Sequence, residues 1–362
     1  MDLRLSAALV GLSAGVEASA LPSANGDRNM RNQKLDIAFW NYDRTKALVD
    51  GSVDIEGVDA TFHTGRIVVD IFEAMVKERA YDVSELGLSY FLRTMDFEKP
   101  PFLAIPVFPV RSFRHSAVYI NKSSGIRSPR DLAGKRIGEL AMYGHDAGVW
   151  PKGVLSDEFG VKPEQSRWLV GGIDFPLQPI DWLPQPHPAG VEVEQAGPHQ
   201  DLGDLLLSGE IDALISADAP KCVLQKSPEV GRLFEDYVAV ERDYYRRTGN
   251  FPIMHTVVVT RKLADERPDV VKAIYKGFCA AKAACETQLI KGMTFNNMIV
   301  MIPWLSALID EDRQVLGDDW WPYGIARNRS ALDAFLRYHF EQGLSKRRMR
   351  IEDVFVPYLV ET

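Results

Sequence analysis

Apolar and polar positions along the chain alternate between two kinds of segment. Strand-length apolar runs stand at Leu35–Trp40, Val58–His63 and Tyr81–Leu86. Stretches with helical spacing follow at Lys46–Asp50, Val68–Arg79 and Leu88–Met95. Strand, helix, strand, helix, strand predicts a parallel sheet, and ligands of such sheets sit beyond the carboxyl ends of the strands. Tyr42 and Arg44 fall at the first of those ends, and Ser84 and Glu85, in the polar stretch SELGLS, at the third. The apolar run Phe102–Val110 then predicts a strand that crosses between two lobes. It ends in Arg111-Ser112-Phe113-Arg114-His115. Burial of the strand does not require cations at its end, and guanidinium offers a planar fork to carboxylate or phosphate, so the cluster predicts an anion-binding cleft at the crossing.

The second half repeats the pattern. Ala117–Asn121, Arg136–Leu140, Arg167–Val170, Val191–Glu194 and Ala213–Ser216 read as strands. Asp218 follows the last of them. The turn Met142–Gly148, carrying Tyr143 and His145, opens a helix to about Phe159 and offers free backbone N–H groups to an anion. Pro176, Pro179, Pro184, Pro186 and Pro188 make the segment before Val191 too proline-dense for helix or central strand, so it reads as an extended arm or lid. Phe251–His255 leads into Thr256–Thr260, a second crossing. Helices are expected at Asp269–Leu289, Trp304–Leu316, Ser330–Gln342 and near Glu352. The whole describes an α/β chain of two lobes, periplasmic-binding-protein-like and of the two-hinge type II arrangement, with a helical C-terminal region. Residues 34–115 plus 256–362 are expected to form lobe I and 116–255 lobe II.

Composition narrows the classes. The chain has 362 residues and a net charge of −8, with no long Lys/Arg run, which argues against a nucleic-acid partner. No apolar run reaches the ~18 residues of a membrane span. Cys222, Cys279 and Cys285 are an odd number without CxxC spacing and read as reduced thiols, which suits a cytoplasmic protein. Leu5–Val16 and Ala18-Ser19-Ala20 have the look of a secretory leader and cleavage site, but Arg4 is offset by Asp2 and Glu17 precedes the cleavage site. Residues 1–33 are therefore an N-terminal extension, disordered or signal-like, with Met30 as an alternative start.

From Leu35 onward the sequence resembles the 4,5-dihydroxyphthalate decarboxylases. The resemblance is carried by WNYDRTKALVDG (Trp40–Gly51), DVSELGLSYF (Asp82–Phe91) and IPVFPVRSFRHSAVYI (Ile105–Ile120). It continues in SGEIDALISADAPKC (Ser208–Cys222), GRLFEDYVAVERDYYRRTGNFPIMH (Gly231–His255), WWPYGIARNR (Trp320–Arg329) and AFLRYHFEQGLSKRR (Ala334–Arg348). The turn MYGHDAGVWPKG (Met142–Gly153) and the proline-rich arm depart from the family pattern. The resemblance implies a cytoplasmic carboxy-lyase without cofactor that converts 4,5-dihydroxyphthalate to protocatechuate in phthalate degradation. Its partner is a small aromatic di-acid, and a homo-oligomer is implied.

Such chemistry needs a cationic clamp for carboxylates, a base that polarises the phenol and an acid that protonates the ring. Arg44, Arg111 and Arg114 are the expected clamp, with one of the last two fixing the hinge instead. Glu85 and His255 are expected to exchange protons with the catechol, and His115 or His145 to act as the ring acid. Tyr42, Ser84, Tyr143 and Asp218 complete the substrate-binding set. The seven histidines lack HxH or HExxH spacing and no metal is expected; the alternative is an ion assembled across the cleft from His115, His145 or His255. A solute-binding protein for an aromatic carboxylate is the alternative function, and a different small-acid lyase or hydrolase a third.

Overall fold

A computed structural model describes residues 32–295 and 298–362; the expectation of a leader or extension lies outside them. The first part of the chain gives β1 (Gln33–Ala38), α1 (Lys46–Val49), β2 (Val58–His63), α2 (Val68–Glu73), β3 (Val83–Gly87), α3 (Leu88–Thr94) and β4 (Phe102–Ile105). Next come β5 (Val118–Asn121), β6 (Arg136–Leu140), α4 (Asp146–Phe159), β7 (Arg167–Gly171), β8 (Glu192–Gln195), α5 (Leu202–Ser208), β9 (Ala213–Ile215), α6 (Lys221–Leu224), β10 (Val230–Arg232) and α7 (Tyr237–Thr248). The chain ends with β11 (His255–Thr260), α8 (Arg261–Glu266), α9 (Pro268–Thr294), α10 (Leu305–Leu316), α11 (Arg329–Glu341) and α12 (Ile351–Val354).

Two sheets result, in the orders β2-β1-β3-β11-β4 and β10-β5-β9-β6-β7-β8. This is the two-lobe α/β architecture of periplasmic binding proteins. The first sheet is mixed, whereas strand–helix alternation predicts a parallel one. β1 runs parallel to β2 and β3, but β11 enters from the second sheet and inserts antiparallel between β3 and β4. β5 is likewise antiparallel to β9 and β10.

Backbone donors explain where two strands end early. β1 stops at Ala38 because the Trp40 N–H leaves the ladder for a Glu85 carboxylate oxygen, 2.9 Å away. β4 stops at Ile105, short of the expected Val110, because Pro106 and Pro109 have no N–H to give. The Val107 N–H turns back to the Ile105 carbonyl at 2.7 Å instead. β3, by contrast, extends through Gly87, so Ser84 and Glu85 lie within the strand and not in a loop after it.

The two segments joining the sheets lie side by side. Arg111 and Ile253 form an antiparallel bridge. Ser112 N–H donates to Pro252 O at 3.1 Å and Met254 N–H to Val110 O at 2.9 Å. The C-terminal α11 packs on α4, with Trp150 between Phe335 and Tyr338 (ring centroids 5.9 and 5.7 Å). Gln342 Nε2 caps that contact by donating to Val149 O at 2.8 Å. Residues 172–191, which hold the proline-dense arm, form neither helix nor strand. The three cysteines are free, and among the described residues no helix is long and apolar enough to cross a membrane.

Candidate functional site

The site is built around Glu85. Side chains alternate across a strand, so Glu85 and Ser84 face opposite ways. The Ser84 hydroxyl is buried and donates to the Glu85 carbonyl oxygen at 2.9 Å, a backbone role rather than the expected place on a ligand. The Glu85 carboxylate is fully buried and accepts three hydrogen bonds. Tyr42 Oη donates at 2.7 Å and His255 Nδ1 lies at 2.6 Å, both on Oε1, while Trp40 N–H holds Oε2. A carboxylate that is acceptor only fixes the imidazole tautomer with hydrogen on Nδ1. Among the described residues the His255 Nε2 has no hydrogen-bond partner. Burial, and then the Glu85 charge, push the Tyr42 phenol far above its ordinary pKa, so it stays a neutral donor.

Arg44 stands beside this group. Its guanidinium lies 4.2 Å from the Tyr42 ring centroid and 4.7 Å from that of Trp321. It donates to Pro109 O and pairs with Asp43 at 3.0 Å. Phe72 meets His255 edge-on (5.2 Å) and Tyr90 (5.1 Å), and Trp182 of the proline-rich arm stacks on Tyr90 (5.8 Å). The walls near the Glu85–His255 pair are thus aromatic.

Arg111 and Arg114 have different surroundings. Arg111 is buried and donates to Phe251 O at 3.1 Å, Pro322 O at 2.7 Å and Asn328 Oδ1. Those acceptors tie the crossing to the C-terminal region and take up the fork expected to hold substrate. Arg114 is also buried, but among the described residues its only side-chain hydrogen bond runs from Nε to Met254 Sδ at 3.4 Å, and no carboxylate pairs with it. Burial pulls its pKa down to about 10, which leaves it charged at neutral pH. Asp218 is exposed, its N–H held by Ser216 Oγ at 3.0 Å, and its charge reaches Arg114 only from a distance.

The histidines separate in the same way. His115 packs between Phe234 and Tyr244 (5.1 and 5.2 Å) with neither ring nitrogen hydrogen-bonded, and burial lowers its pKa to about 4. Among the described residues it makes no hydrogen bond or ring contact with Glu85, Tyr42 or His255. His145 is the N-cap of α4, with Nδ1 accepting from Ala147 N–H at 3.2 Å. Burial, then the His255 charge, lower it to about 3, so it is a neutral imidazole and a hydrogen-bond donor rather than an acid. Tyr143 lies under Lys152 (3.7 Å to the ring), which forms a fully buried pair with Glu139 at 2.6 Å. Its hydroxyl is buried without a partner.

The turn before α4 docks on α3 of the first sheet. Ser89 Oγ donates to Gly144 O at 2.6 Å, Ser89 N–H to Asp146 Oδ1, and Arg93 Nη2 to Tyr143 O at 2.6 Å. Gly144 sits at φ +78°, where a Cβ would meet Leu344 at 2.4 Å, so glycine is required for this contact. Asp146 is buried, its second oxygen has no partner, and burial raises its pKa to about 6. It was not among the residues expected from the sequence, since an acidic residue in a first helical turn is a common N-terminal signal. Tyr323, buried with a free hydroxyl near Glu85 and Arg44, was also missed. Among the described residues no group of three or more His, Cys, Asp or Glu has metal-binding geometry.

Comparison with known proteins follows the same lines. No family model matches the chain. A 4,5-dihydroxyphthalate decarboxylase of Comamonas testosteroni is 37% identical over 333 residues, 92% of this chain and 99% of the relative. One of Pseudomonas putida is 38% identical over 217 residues, 60% of this chain and 83% of the relative. Among solved structures, a periplasmic sulfonate-binding protein of Methylobacillus flagellatus superposes with a TM-score of 0.57 at 14% identity, covering 91% of this chain and 93% of that one. The aliphatic sulphonate-binding protein of Escherichia coli gives 0.52 at 12% identity, covering 91% and 99%. These two likenesses concern the fold alone.

Proposed function

The chain belongs to the 4,5-dihydroxyphthalate decarboxylases and is a carboxy-lyase; from that premise we propose how its residues divide the reaction. The observation that carries the reading is the buried Tyr42–Glu85–His255 group, which leaves one imidazole nitrogen free beside aromatic walls. In 4,5-dihydroxyphthalate each hydroxyl is para to a carboxylate. His255 Nε2 accepts the proton of one hydroxyl, and Glu85 stabilises the imidazolium through Nδ1. The ring then takes a proton at the para carbon, giving a dienone whose tetrahedral carbon holds hydrogen and carboxylate. The bond to the carboxylate breaks, its electron pair restores the aromatic ring as a phenolate, and carbon dioxide leaves. His255 returns the proton to oxygen, and the product is protocatechuate.

Arg114 holds a substrate carboxylate in this reading. A buried guanidinium without a counter-ion costs several kcal/mol, and a ligand carboxylate supplies the missing charge. Arg44, on the rim over Tyr42, is the second cation. Tyr143 and Asp218 take no part in this reading: the first lies against the Glu139–Lys152 pair and the second is exposed. Single-turnover kinetics with calorimetry test the division. His255→Asn and Glu85→Gln are expected to bind 4,5-dihydroxyphthalate and turn it over slowly; wild-type rates in both variants remove the proton-transfer roles.

A further inference from the structure

Decarboxylation by this route needs an acid at the ring carbon. Burial holds both histidines expected for that task in the neutral form, whereas it favours the protonated, acidic form of Asp146. It comes from the opposite side of the cleft to His255, at the first turn of α4. One oxygen accepts the Ser89 N–H, and the other is buried with no hydrogen-bond partner among the described residues. That free oxygen sits over Gly87, where a Cβ would stand 2.2 Å from it. Gly87 is in turn the direct cross-strand partner of His255 in the β3–β11 pair. The carboxyl is therefore held against the backbone next to the imidazole, in room that exists only because residue 87 has no side chain. We infer that Asp146 is the acid that delivers the proton to the ring carbon losing its carboxylate, a reading that rests on the decarboxylation proposed above.

The step balances simply. The Asp146 O–H bond breaks and a ring C–H bond forms, while His255 Nε2 takes the phenolic proton. Departure of carbon dioxide leaves its electron pair in the ring. Asp146, now a carboxylate, regains a proton from solvent between turnovers. Several charges set its protonation. Tyr90 and Arg93 face it from α3, His255 from β11, and Arg114 from the first crossing. His145 adjoins it in the chain, and the Glu139–Lys152 pair lies behind the same turn. His339, from α11, stands near Ser89. Burial outweighs the nearby cations and raises the carboxyl to about 6, and the charge of a dianionic substrate acts in the same direction.

Deuteration of the product at the same ring carbon, followed by loss of the original hydrogen, gives a readout apart from carbon dioxide. In deuterium oxide the enzyme should exchange the hydrogen at C6 of protocatechuate, the carbon that carried the lost carboxylate, as followed by proton NMR. Asp146→Asn keeps an oxygen for the Ser89 N–H but has no acidic proton. It is expected to bind protocatechuate within a few-fold of wild type and to lose exchange and turnover by ~10²–10⁴. Should its cooperative melt be lost, Asp146→Glu carries the test, with residual exchange and a displaced alkaline limb in the pH–rate profile. Exchange by Asp146→Asn at the wild-type rate overturns the assignment and leaves decarboxylation standing. A wild-type protein that neither releases carbon dioxide nor exchanges C6 removes the functional reading, and this assignment with it.

Discussion

At the scale of single residues, burial separates groups that hold the fold from groups that await a ligand. Arg111 and Arg114 are three apart and both buried, yet only Arg111 has both terminal nitrogens held by protein oxygens. Arg111→Ala is expected to lower thermal stability by ~2–4 kcal/mol, because it strands buried carbonyl and amide oxygens. Arg114→Ala is expected to leave the melt near wild type and weaken substrate binding by ~2–5 kcal/mol. Thermal melts and calorimetry on the two variants check both; a large stability loss in Arg114→Ala alone contradicts the contrast. Asp146 gives a signed pH prediction. Its pKa rises on folding from 3.8 to about 6, so the native state keeps a proton that the unfolded chain has lost. Stability therefore falls as pH rises from about 4 through about 6. Two pKa units correspond to about 3 kcal/mol. Asp146→Asn should be more stable than wild type at pH 7, with the advantage gone near pH 4. Equal stability at both values contradicts it.

At the scale of elements, hydrophobic pattern located most helices and strands, and backbone donors decided where they ended. Pro106 and Pro109 are visible in the sequence, but that they end β4 depends on which N–H groups the ladder needs. Trp40 leaves β1 for a carboxylate 45 residues away, which no local pattern can show. Glu85 and His255 were legible as polar residues at apolar strands, and the mixed sheet brings them within 2.6 Å. Asp146 was not legible, because its role depends on the docking of α4 against α3 and on the empty space at Gly87. Gly87→Ala tests that dependence. A Cβ there would also stand 2.7 Å from Tyr90, so the variant must shift Asp146 or α3. It is expected to cut kcat more than Asp146→Glu does; an unchanged kcat would show that the space is unused.

At the scale of the whole molecule, the fold is one that solute-binding proteins share, so architecture alone does not separate binding from catalysis. Family membership decides for catalysis. The contact of Ser89 and Arg93 with the turn before α4 closes the cleft, and Trp182 of the proline-rich arm covers it at Tyr90. In the proposed reaction, closure of this kind brings Asp146, from α4, and His255, from β11, to one aromatic ring. The most direct test is to incubate the purified chain with 4,5-dihydroxyphthalate without oxygen or added reductant. Carbon dioxide and protocatechuate should appear in equal amounts and both be lost in His255→Asn. Tight binding of 4,5-dihydroxyphthalate with no carbon dioxide released would contradict the account and make the chain a binding protein.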